Sequence, residues 1–216
     1  MSKSNLAVKE ELENVAVEDV IIINQNEQEN YRPSKDKEIR VNNNLSYLIM
    51  KKIVDIIAGI LGTILLVPLI AVVWFIRICL HENDGPLFFE QIRIGKNGKQ
   101  FRMYKFRTMV MEADEKLYKY LEENPEAKKE YKKYKKLKHD PRITKLGNIL
   151  RKTSLDEFPQ FVNILKGEMS LVGPRPYLHR EKEDLGEYYY NSITKVKPGI
   201  TGYWQVNGRN DVDFEE

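Results

Sequence analysis

The segment IVDIIAGILGTILLVPLIAVVWFIRICL, Ile53 to Leu80, decides how this chain is organised. From Ile56 to Ile76 it holds 21 residues without a charge, close to the roughly 20 apolar residues that a helix needs to cross a bilayer core. A chain of 216 residues has too little protein around such a helix to bury it at the centre of a soluble core. The segment therefore predicts a membrane helix over residues 49–82.

Pro68 stands near the middle of this segment and predicts its shape. A proline lacks the backbone donor and crowds the carbonyl of Ile64, so we expect a break there. Basic residues flank the segment on both sides, which suits the cytoplasmic face at both ends. We expect a re-entrant helix that enters the cytoplasmic leaflet, breaks at Pro68 and returns; a kinked spanning helix is the alternative. Thr63 is the nearest hydroxyl for the backbone at the break.

Charge divides the chain into an acidic tail and a basic body. Residues 1–50 hold six Lys/Arg and nine Asp/Glu, and the whole chain has a formal net charge of +3, so the rest carries +6. Residues 1–48 are polar, and their apolar patch Val15 to Ile23 is too isolated to offset the entropy of folding. We expect a flexible tail, with docking of the patch as a strand left open. A basic body beside a membrane helix suits phosphate-bearing partners.

The small numbers of cysteine and histidine residues argue against a disulfide framework and against a typical zinc site. One cysteine, Cys79, excludes an intramolecular disulfide framework, and three scattered histidines lack the spacing typical of zinc sites. Any metal should therefore have oxygen ligands. The polar, acidic opening differs from a signal peptide, so the apolar segment is expected to stay as an anchor.

Beyond residue 83 the pattern predicts a mixed domain. Leu87 to Ile94 and Lys99 to Phe106 flank an Asn-Gly turn and predict a β-hairpin. Met111 to Lys138 predicts charged helices interrupted near Pro125, either a solvated arm or a surface for anionic lipid. Ile143 to Arg151 predicts a short helix. The expected fold is therefore α+β, mainly helical: a membrane-embedded monotopic protein with tail 1–48, re-entrant helix 49–82 and cytoplasmic catalytic domain 83–216.

The stretch Thr153 to Pro159 contains an adjacent carboxylate pair. Ser154 and Glu157 have capping-box spacing, but that register would place Pro159 inside the helix. With Asp156 as the N-cap, Pro159 falls in the first turn, and the helix runs from Glu157 to a glycine terminus after Leu165. Position alone leaves a cap and a catalytic carboxylate both open.

Several motifs occur in order along residues 49–210. They are the apolar segment with a central proline, Tyr104–Met109, Leu150–Glu157, Leu171–Pro176, Pro198–Gly202 and Gln205–Arg209. In these motifs the chain resembles the bacterial sugar transferases, the monotopic polyprenyl-phosphate phosphoglycosyl transferases of exopolysaccharide, O-antigen and glycoprotein pathways. The resemblance implies a membrane enzyme with its catalytic domain on the cytoplasmic face of the bacterial inner membrane.

The resemblance also implies a two-step exchange. Asp156 attacks the diphosphate of a UDP-sugar, releasing UMP and leaving a phosphosugar on the enzyme, which undecaprenyl (polyprenyl) phosphate then takes. Glu157 is implied as an acid/base or positioning group, with Mg²⁺ near Asp156. Carboxylates can form acyl phosphates, and magnesium prefers oxygen ligands together with substrate phosphates. Glucose and galactose are the expected sugars.

Four cations are candidates for binding the substrate phosphates, since phosphoryl transfer depends on positioning and on stabilising charge. Arg175 lies between two prolines, which confine it to extended backbone and reduce the entropy lost on binding. A surface ion pair is the alternative for each cation, and Tyr203 and Trp204 fit either a core or a base-stacking role. The four candidates are Lys105, Arg151, Arg175 and Arg209. The expected partners are a UDP-sugar, polyprenyl phosphate and membrane lipid, and not nucleic acid.

Two departures from the family pattern affect these expectations. Val67 precedes Pro68 where the family commonly has serine, so the hydroxyl that holds the break is missing. The chain stops at Glu216, soon after Asn207 to Asn210, so we expect the catalytic domain to be incomplete at its C-terminus.

Two other functions compete with this one. A glycosidase would need carboxyls flanking one bond at about 5 to 5.5 Å, whereas neighbours on a helix point apart. A non-catalytic membrane adaptor would bind anionic lipid through the basic surface, and it would release no nucleotide from a sugar nucleotide.

Overall fold

The computed structural model describes residues 41–82, 84–134 and 136–202, without the side chains of residues 183 and 184. The described chain forms one compact unit from residues 41–120 and 139–202 and another from residues 121–138. Most of the predicted tail, residues 1–40, lies outside the described residues, as do Tyr203, Trp204 and Arg209. The elements are helix α1 (Leu45–Cys79), strands β1 (Phe88–Ile94) and β2 (Gln100–Phe106), helices α2 (Ala113–Glu123), α3 (Pro125–Tyr134) and α4 (Lys145–Thr153), a 3-10 turn (Leu155–Glu157), helix α5 (Gln160–Leu165), strand β3 (Ser170–Val172), helix α6 (Glu181–Ile193) and strand β4 (Gly199–Thr201).

The mainly helical α+β class and the hairpin are confirmed. Strands β1 and β2 pair antiparallel with Ile94 opposite Gln100, and the turn contains Asn97 at φ 59° and Gly98 at φ 73°. Strands β3 and β4 form a second, parallel pair. Pro125 begins α3, as expected of a residue that is tolerated only in the first turn of a helix.

Helix α1 differs from the prediction at its start and at Pro68. It begins at Leu45, where Asn44 caps it by accepting a hydrogen bond from the Ser46 amide at 2.9 Å. It continues to Cys79 with Pro68 inside, so the predicted break does not interrupt the helix. Proline deletes only one hydrogen bond of the ladder, and packing on both sides of it stabilises the helix. The Thr63 hydroxyl is buried without a hydrogen-bond partner in the described residues, so its predicted backbone bond is wrong.

One face of α1 packs on the protein and the other is exposed. The buried positions follow a helical stripe: Gly59, Gly62, Leu66, Val73 and Arg77. The exposed face carries large apolar side chains, among them Leu65, Trp74 and Phe75, each more than half exposed. An apolar surface of this extent requires a cover, and α1 is long and apolar enough to cross a bilayer. The return of the helix within one leaflet stays a prediction.

Two glycines let α5 approach α1 closely. A Cβ added to Gly62 would overlap the ring of Phe161, and one added to Gly59 would lie 2.7 Å from Cδ2 of Leu165. Real Cβ atoms essentially never come so close. The glycine face therefore holds the element that follows the carboxylate pair directly against α1.

The start of α1 is also hydrogen-bonded to β3. Lys51 Nζ donates to Ser170 Oγ at 2.6 Å and to the carbonyl of Val172 at 2.9 Å. Asp55 Oδ1 accepts from Ser170 Oγ and from the Leu171 amide, each at 2.9 Å. Ser170 is fully buried, so these charge-assisted bonds lie in surroundings that strengthen them.

The C-terminal end of α1 is joined to α4 through the loop that follows it. Arg77, 6% exposed, donates through Nε to the carbonyl of Glu82 at 2.9 Å. The Glu82 carboxylate accepts from the amides of Lys145 and Leu146 at 2.7 and 3.1 Å. A carboxylate at these first amides complements the positive end of α4. Both ends of α1 are thus hydrogen-bonded to the rest of the described chain.

Candidate active site

Asp156 lies in the 3-10 turn between α4 and α5. Ser154 ends α4 in the left-handed region at φ 58°, and its side chain makes no capping bond. Helix α5 starts only at Gln160, so the prediction of Asp156 as its N-cap is wrong, and so is the capping box. The left-handed Ser154 reverses the chain and leaves room for one tight turn before Pro159. The predicted glycine terminus is confirmed, since Gly167 follows α5 at φ 75°.

Glu157 is paired with Lys105. Lys105 on β2 donates through Nζ to Glu157 Oε1 at 2.9 Å, with 26% and 29% of the two side chains exposed. The hairpin therefore brings a cation to the carboxylate turn across 52 positions of sequence. Because both groups are partly exposed, the pair contributes modestly to stability and keeps its charges within reach of a ligand.

The charges around Asp156 act in opposite directions. Partial burial raises the pKa of the Asp156 carboxyl, and Glu157 raises it further, whereas Lys105 and Arg151 lower it. The net shift is upward, so burial outweighs the two cations. Asp156 is thus a partly desolvated carboxylate with two neighbouring cations, an arrangement suited to a group that reacts with a polyanion.

Arg151 reaches this turn from α4. Its Nε donates to Thr108 Oγ1 at 2.9 Å, which orients the guanidinium. Helix α4 lies directly on the backbone at Thr108: a Cβ on Gly147 would lie 2.8 Å from the carbonyl carbon of Thr108 and nearer still to its oxygen. The Thr144 amide donates to the same carbonyl at 3.1 Å. Glycine at 147 thus sets the distance that lets Arg151 reach Thr108.

Arg175 is placed in the loop after β3, in the neighbourhood of Arg93. Its guanidinium carbon lies 6.0 Å from the centre of the Tyr177 ring. The charge of Arg175 lowers the pKa of Arg93 on β1, and the charge of Glu157 raises it. The structure therefore brings Lys105, Arg151, Asp156 and Glu157 together, and Arg93 is subject to the charges of both Arg175 and Glu157.

The model of the family described as bacterial sugar transferase matches residues 46–216, most of the chain. The chain belongs to this family. The resemblance found in its motifs is therefore confirmed.

Three curated relatives are similar in sequence to the chain over most of its length. An undecaprenyl-phosphate galactose phosphotransferase of Salmonella typhimurium is 45% identical over 183 residues, 82% of this chain and 37% of that protein. A UDP-galactose-lipid carrier transferase of Erwinia amylovora is 41% identical with the same two shares. Exopolysaccharide production protein ExoY of Sinorhizobium fredii is 43% identical over 169 residues, 77% of this chain and 72% of that protein. The chain thus spans little more than a third of the first two relatives.

The carboxylates of this sugar transferase could give Mg²⁺ few protein ligands, so that water and substrate phosphates would complete its shell. No group of three or more Cys, His, Asp or Glu side chains that could hold a metal occurs in the described part of the chain. Magnesium commonly uses one or two carboxylates and completes its shell with water and substrate phosphates. Asp156 supplies one such carboxylate, while Glu157 is engaged with Lys105. The donor set therefore suits an ion bound together with its substrate.

Sequence reasoning missed two residues of the site. Thr108 is 7% exposed and accepts from Arg151, and Arg93 has 11% of its side chain exposed. Thr108 belongs to the Tyr104–Met109 motif, and membership of that motif could have identified it. Arg93 is a charged residue within a predicted strand, but the sequence pattern does not show which face of that strand is buried.

Proposed function

We propose that this chain transfers a sugar phosphate from a UDP-sugar to undecaprenyl or another polyprenyl phosphate, as an early step of exopolysaccharide or related glycan synthesis. The observation that carries the proposal is the partly buried Asp156 under the charges of Lys105 and Arg151, in a chain of the sugar transferase family. The names of two relatives, which refer to undecaprenyl phosphate and UDP-galactose, supply the substrate classes.

The proposed reaction proceeds through an aspartyl-phosphate intermediate. An Asp156 carboxylate oxygen attacks the phosphorus that bears the sugar, forming an acyl phosphate, while the bond from that phosphorus to the bridging oxygen breaks and UMP leaves. A phosphate oxygen of the polyprenyl phosphate then attacks the same phosphorus, and the Asp156 carboxylate departs. Each step forms one phosphorus–oxygen bond and breaks one, so Asp156 is regenerated without another reactant.

The cations have different roles in the proposed reaction. Lys105 and Arg151, whose charges act on Asp156, balance charge on the phosphoryl oxygens as that charge moves, which is the main demand of phosphoryl transfer. Arg175 and Arg209 bind the rest of the diphosphate. Glu157 orients Lys105 and is available to handle a proton. Mg²⁺, when bound at Asp156 with the substrate phosphates, would neutralise part of their charge.

Membrane association follows from the exposed apolar face of α1 and from the lipid substrate. We place the catalytic body on the cytoplasmic side of the inner membrane, where the UDP-sugar is available. Helix α5 packs on the glycine face of α1, so the Asp156 turn is fixed to the helix that enters the lipid. A polyprenyl phosphate can then reach the site with its chain still in the bilayer.

The test is release of UMP by the full chain in membranes or detergent, with polyprenyl phosphate and Mg²⁺, offered UDP-galactose or UDP-glucose in parallel. We expect UMP and a lipid-linked sugar diphosphate to appear in equal amounts. Asp114→Asn, on the exposed surface of α2, is a matched control that should keep full activity. A non-catalytic adaptor would bind anionic vesicles and release no UMP from either nucleotide, an outcome that would overturn the proposal.

A further inference from the structure

Arg93 is a buried cation with a defined set of partners. Only 11% of its side chain is exposed. Nη1 donates to the carbonyl of Pro176 at 3.0 Å and lies 3.8 Å from Glu181 Oε2, and Nη2 donates to Gln91 Oε1 at 2.6 Å. A guanidinium offers these donors in one fixed plane, which an ammonium group cannot reproduce. Arg93 therefore fastens the hairpin to the loop after β3 in a specific orientation.

The loop fixed by Arg93 is the one that presents Arg175. The Ile94 amide donates to the carbonyl of Tyr177 at 2.9 Å, and the Gly199 amide donates to the carbonyl of Pro174 at 2.8 Å. Arg175 is therefore held between two backbone anchors, and the bond from Arg93 is made to its immediate neighbour, Pro176. Of these anchors, the Arg93 bond is the one that a side-chain substitution can remove.

Two cations and two carboxylates act on the charge of Arg93. Burial lowers the pKa of Arg93 to about 10; Glu181 raises it, Arg175 and Arg180 lower it, and Glu157 raises it. The Nε atom of Arg93 is buried with no hydrogen-bond partner among the described residues. Guanidinium groups gathered in this way, close to Glu157, are stabilised when a polyanion binds among them.

We propose that Arg93 is a positioning residue for the diphosphate of the sugar nucleotide and that it acts through Arg175, which rests on the proposed function. Arg93 holds the carbonyl of Pro176 and so restricts the backbone that carries Arg175. Without the planar fork of Arg93, Arg175 samples several orientations and must be ordered when the ligand binds, which weakens binding.

The experiment is a double-mutant cycle on affinity for UDP, measured by titration calorimetry on the purified full chain with Mg²⁺. Arg93→Lys keeps the charge and loses the fork, and we expect about tenfold weaker UDP binding. Arg175→Ala should weaken binding as well. In the Arg175→Ala background, Arg93→Lys should then add less than about twofold, because its effect passes through Arg175. Arg102→Lys, on the same hairpin with 70% of its side chain exposed, should leave UDP affinity unchanged.

Folding is followed by the melting temperature of each variant. If Arg93→Lys is too unstable to titrate, Gln91→Ala replaces it in the cycle, since it removes the partner of Nη2 and keeps Arg93; we expect about threefold weaker UDP binding, again lost in the Arg175→Ala background. The inference is overturned if Arg93→Lys weakens UDP binding by the same factor in the wild type and in the Arg175→Ala background. It is also overturned if the wild type binds no UDP. Coupled losses in a protein that releases no UMP would uphold the role of Arg93 and overturn the proposed function alone.

Discussion

Asp156 combines a carboxylate, partial burial and two nearby cations within one turn of chain. Burial raises the pKa of its carboxyl while Lys105 and Arg151 lower it. A carboxyl whose folded pKa is raised stabilises the fold at low pH and loses that contribution as the pH rises through the folded pKa. At neutral pH, the ionised form therefore costs stability, as is common for groups kept for chemistry.

Asp156→Asn should abolish both turnover and the phosphosugar adduct. The amide cannot form the acyl phosphate, so we expect at least about a 1,000-fold loss of rate. Intact-protein mass spectrometry after incubation with a UDP-sugar, without acceptor, reports the adduct. The variant should melt at the same temperature as wild type or higher at pH 7, with the difference shrinking in acid. An adduct that persists in Asp156→Asn would remove Asp156 from the nucleophile role.

Lys105→Met should shift the pH profile of the reaction. Asp156 must be ionised to attack, so activity falls as the pH drops through its raised pKa. Lys105 lowers that pKa, and its removal should move the acidic limb of kcat/KM to higher pH, with turnover reduced on the order of 100-fold. Lys99→Met, an exposed position of the hairpin turn, is the control. An acidic limb that stays in place would show that Lys105 does not act on Asp156.

At the scale of elements, two close contacts position the site. Helix α4 lies on the Thr108 backbone through Gly147, and α5 lies on the membrane helix through Gly59 and Gly62. Between these contacts runs the 3-10 turn that carries Asp156. The position of Asp156 is therefore set by helix packing on both sides of its turn.

Gly147→Ala should separate α4 from the Thr108 backbone. The added methyl group meets carbonyl atoms that cannot move out of the way as a side chain could. We expect a cost of about 1–3 kcal/mol, which lowers the melting temperature by several degrees, and a loss of kcat because Arg151 moves away from Thr108. Asn148→Ala, at the next and exposed position of α4, should change neither quantity. Wild-type behaviour of Gly147→Ala would contradict this account of α4 packing.

Asp55→Ala should loosen β3 from the membrane helix. The carboxylate accepts from Ser170 Oγ and the Leu171 amide, and hydrogen bonds to a charged group contribute about 1.5–3 kcal/mol each. We expect a lower melting temperature in detergent and a raised KM for the UDP-sugar, because β3 leads to Arg175. Lys52→Ala, an exposed neighbour on the same helix, tests whether any change of charge there has the same effect. Equal losses in the two variants would reject the role of Asp55.

At the scale of the whole molecule, the orientation of α1 relative to a membrane depends on its length and on what its two ends contact. Its apolar length suits a span, while the hydrogen bonds at its two ends join both to the catalytic body, through Asp55 and through Arg77. Because both ends are joined to the same body, we predict a re-entrant arrangement that bends at Pro68 in the membrane; in this structure α1 is one continuous helix through Pro68.

Pro68→Leu should convert part of the protein to a spanning form. Leucine restores the missing backbone donor and removes the crowding at Ile64, so a straight helix becomes more favourable. The test uses Cys79→Ser with Ser4→Cys and an impermeant thiol reagent applied to intact cells. Ser4→Cys should be protected when Pro68 is present and partly labelled in Pro68→Leu, with permeabilised cells as the control for full labelling. Labelling in intact cells with Pro68 in place would contradict the re-entrant model.

The sequence by itself determined the features that depend on neighbours along the chain. The hairpin followed from Asn97 and Gly98, which accept the positive φ angles of its turn. The division of the charged helices at Pro125 and the glycine after α5 were predicted for similar local reasons. The long apolar helix followed from composition alone. The transfer of 21 uncharged residues from water to an apolar environment is favourable whatever the particular side chains are against which they pack.

Only the tertiary structure decided the site. Asp156 lies in a 3-10 turn and not at a helix cap, because Ser154 ends α4 in the left-handed region and α5 docks on the glycines of α1. The pairing of Glu157 with Lys105 joins residues 52 positions apart, and the placement of Arg93 beside Arg175 depends on how the hairpin meets the loop after β3. Such contacts depend on the docking of elements distant in the chain, and residue type and local spacing carry little information about that docking.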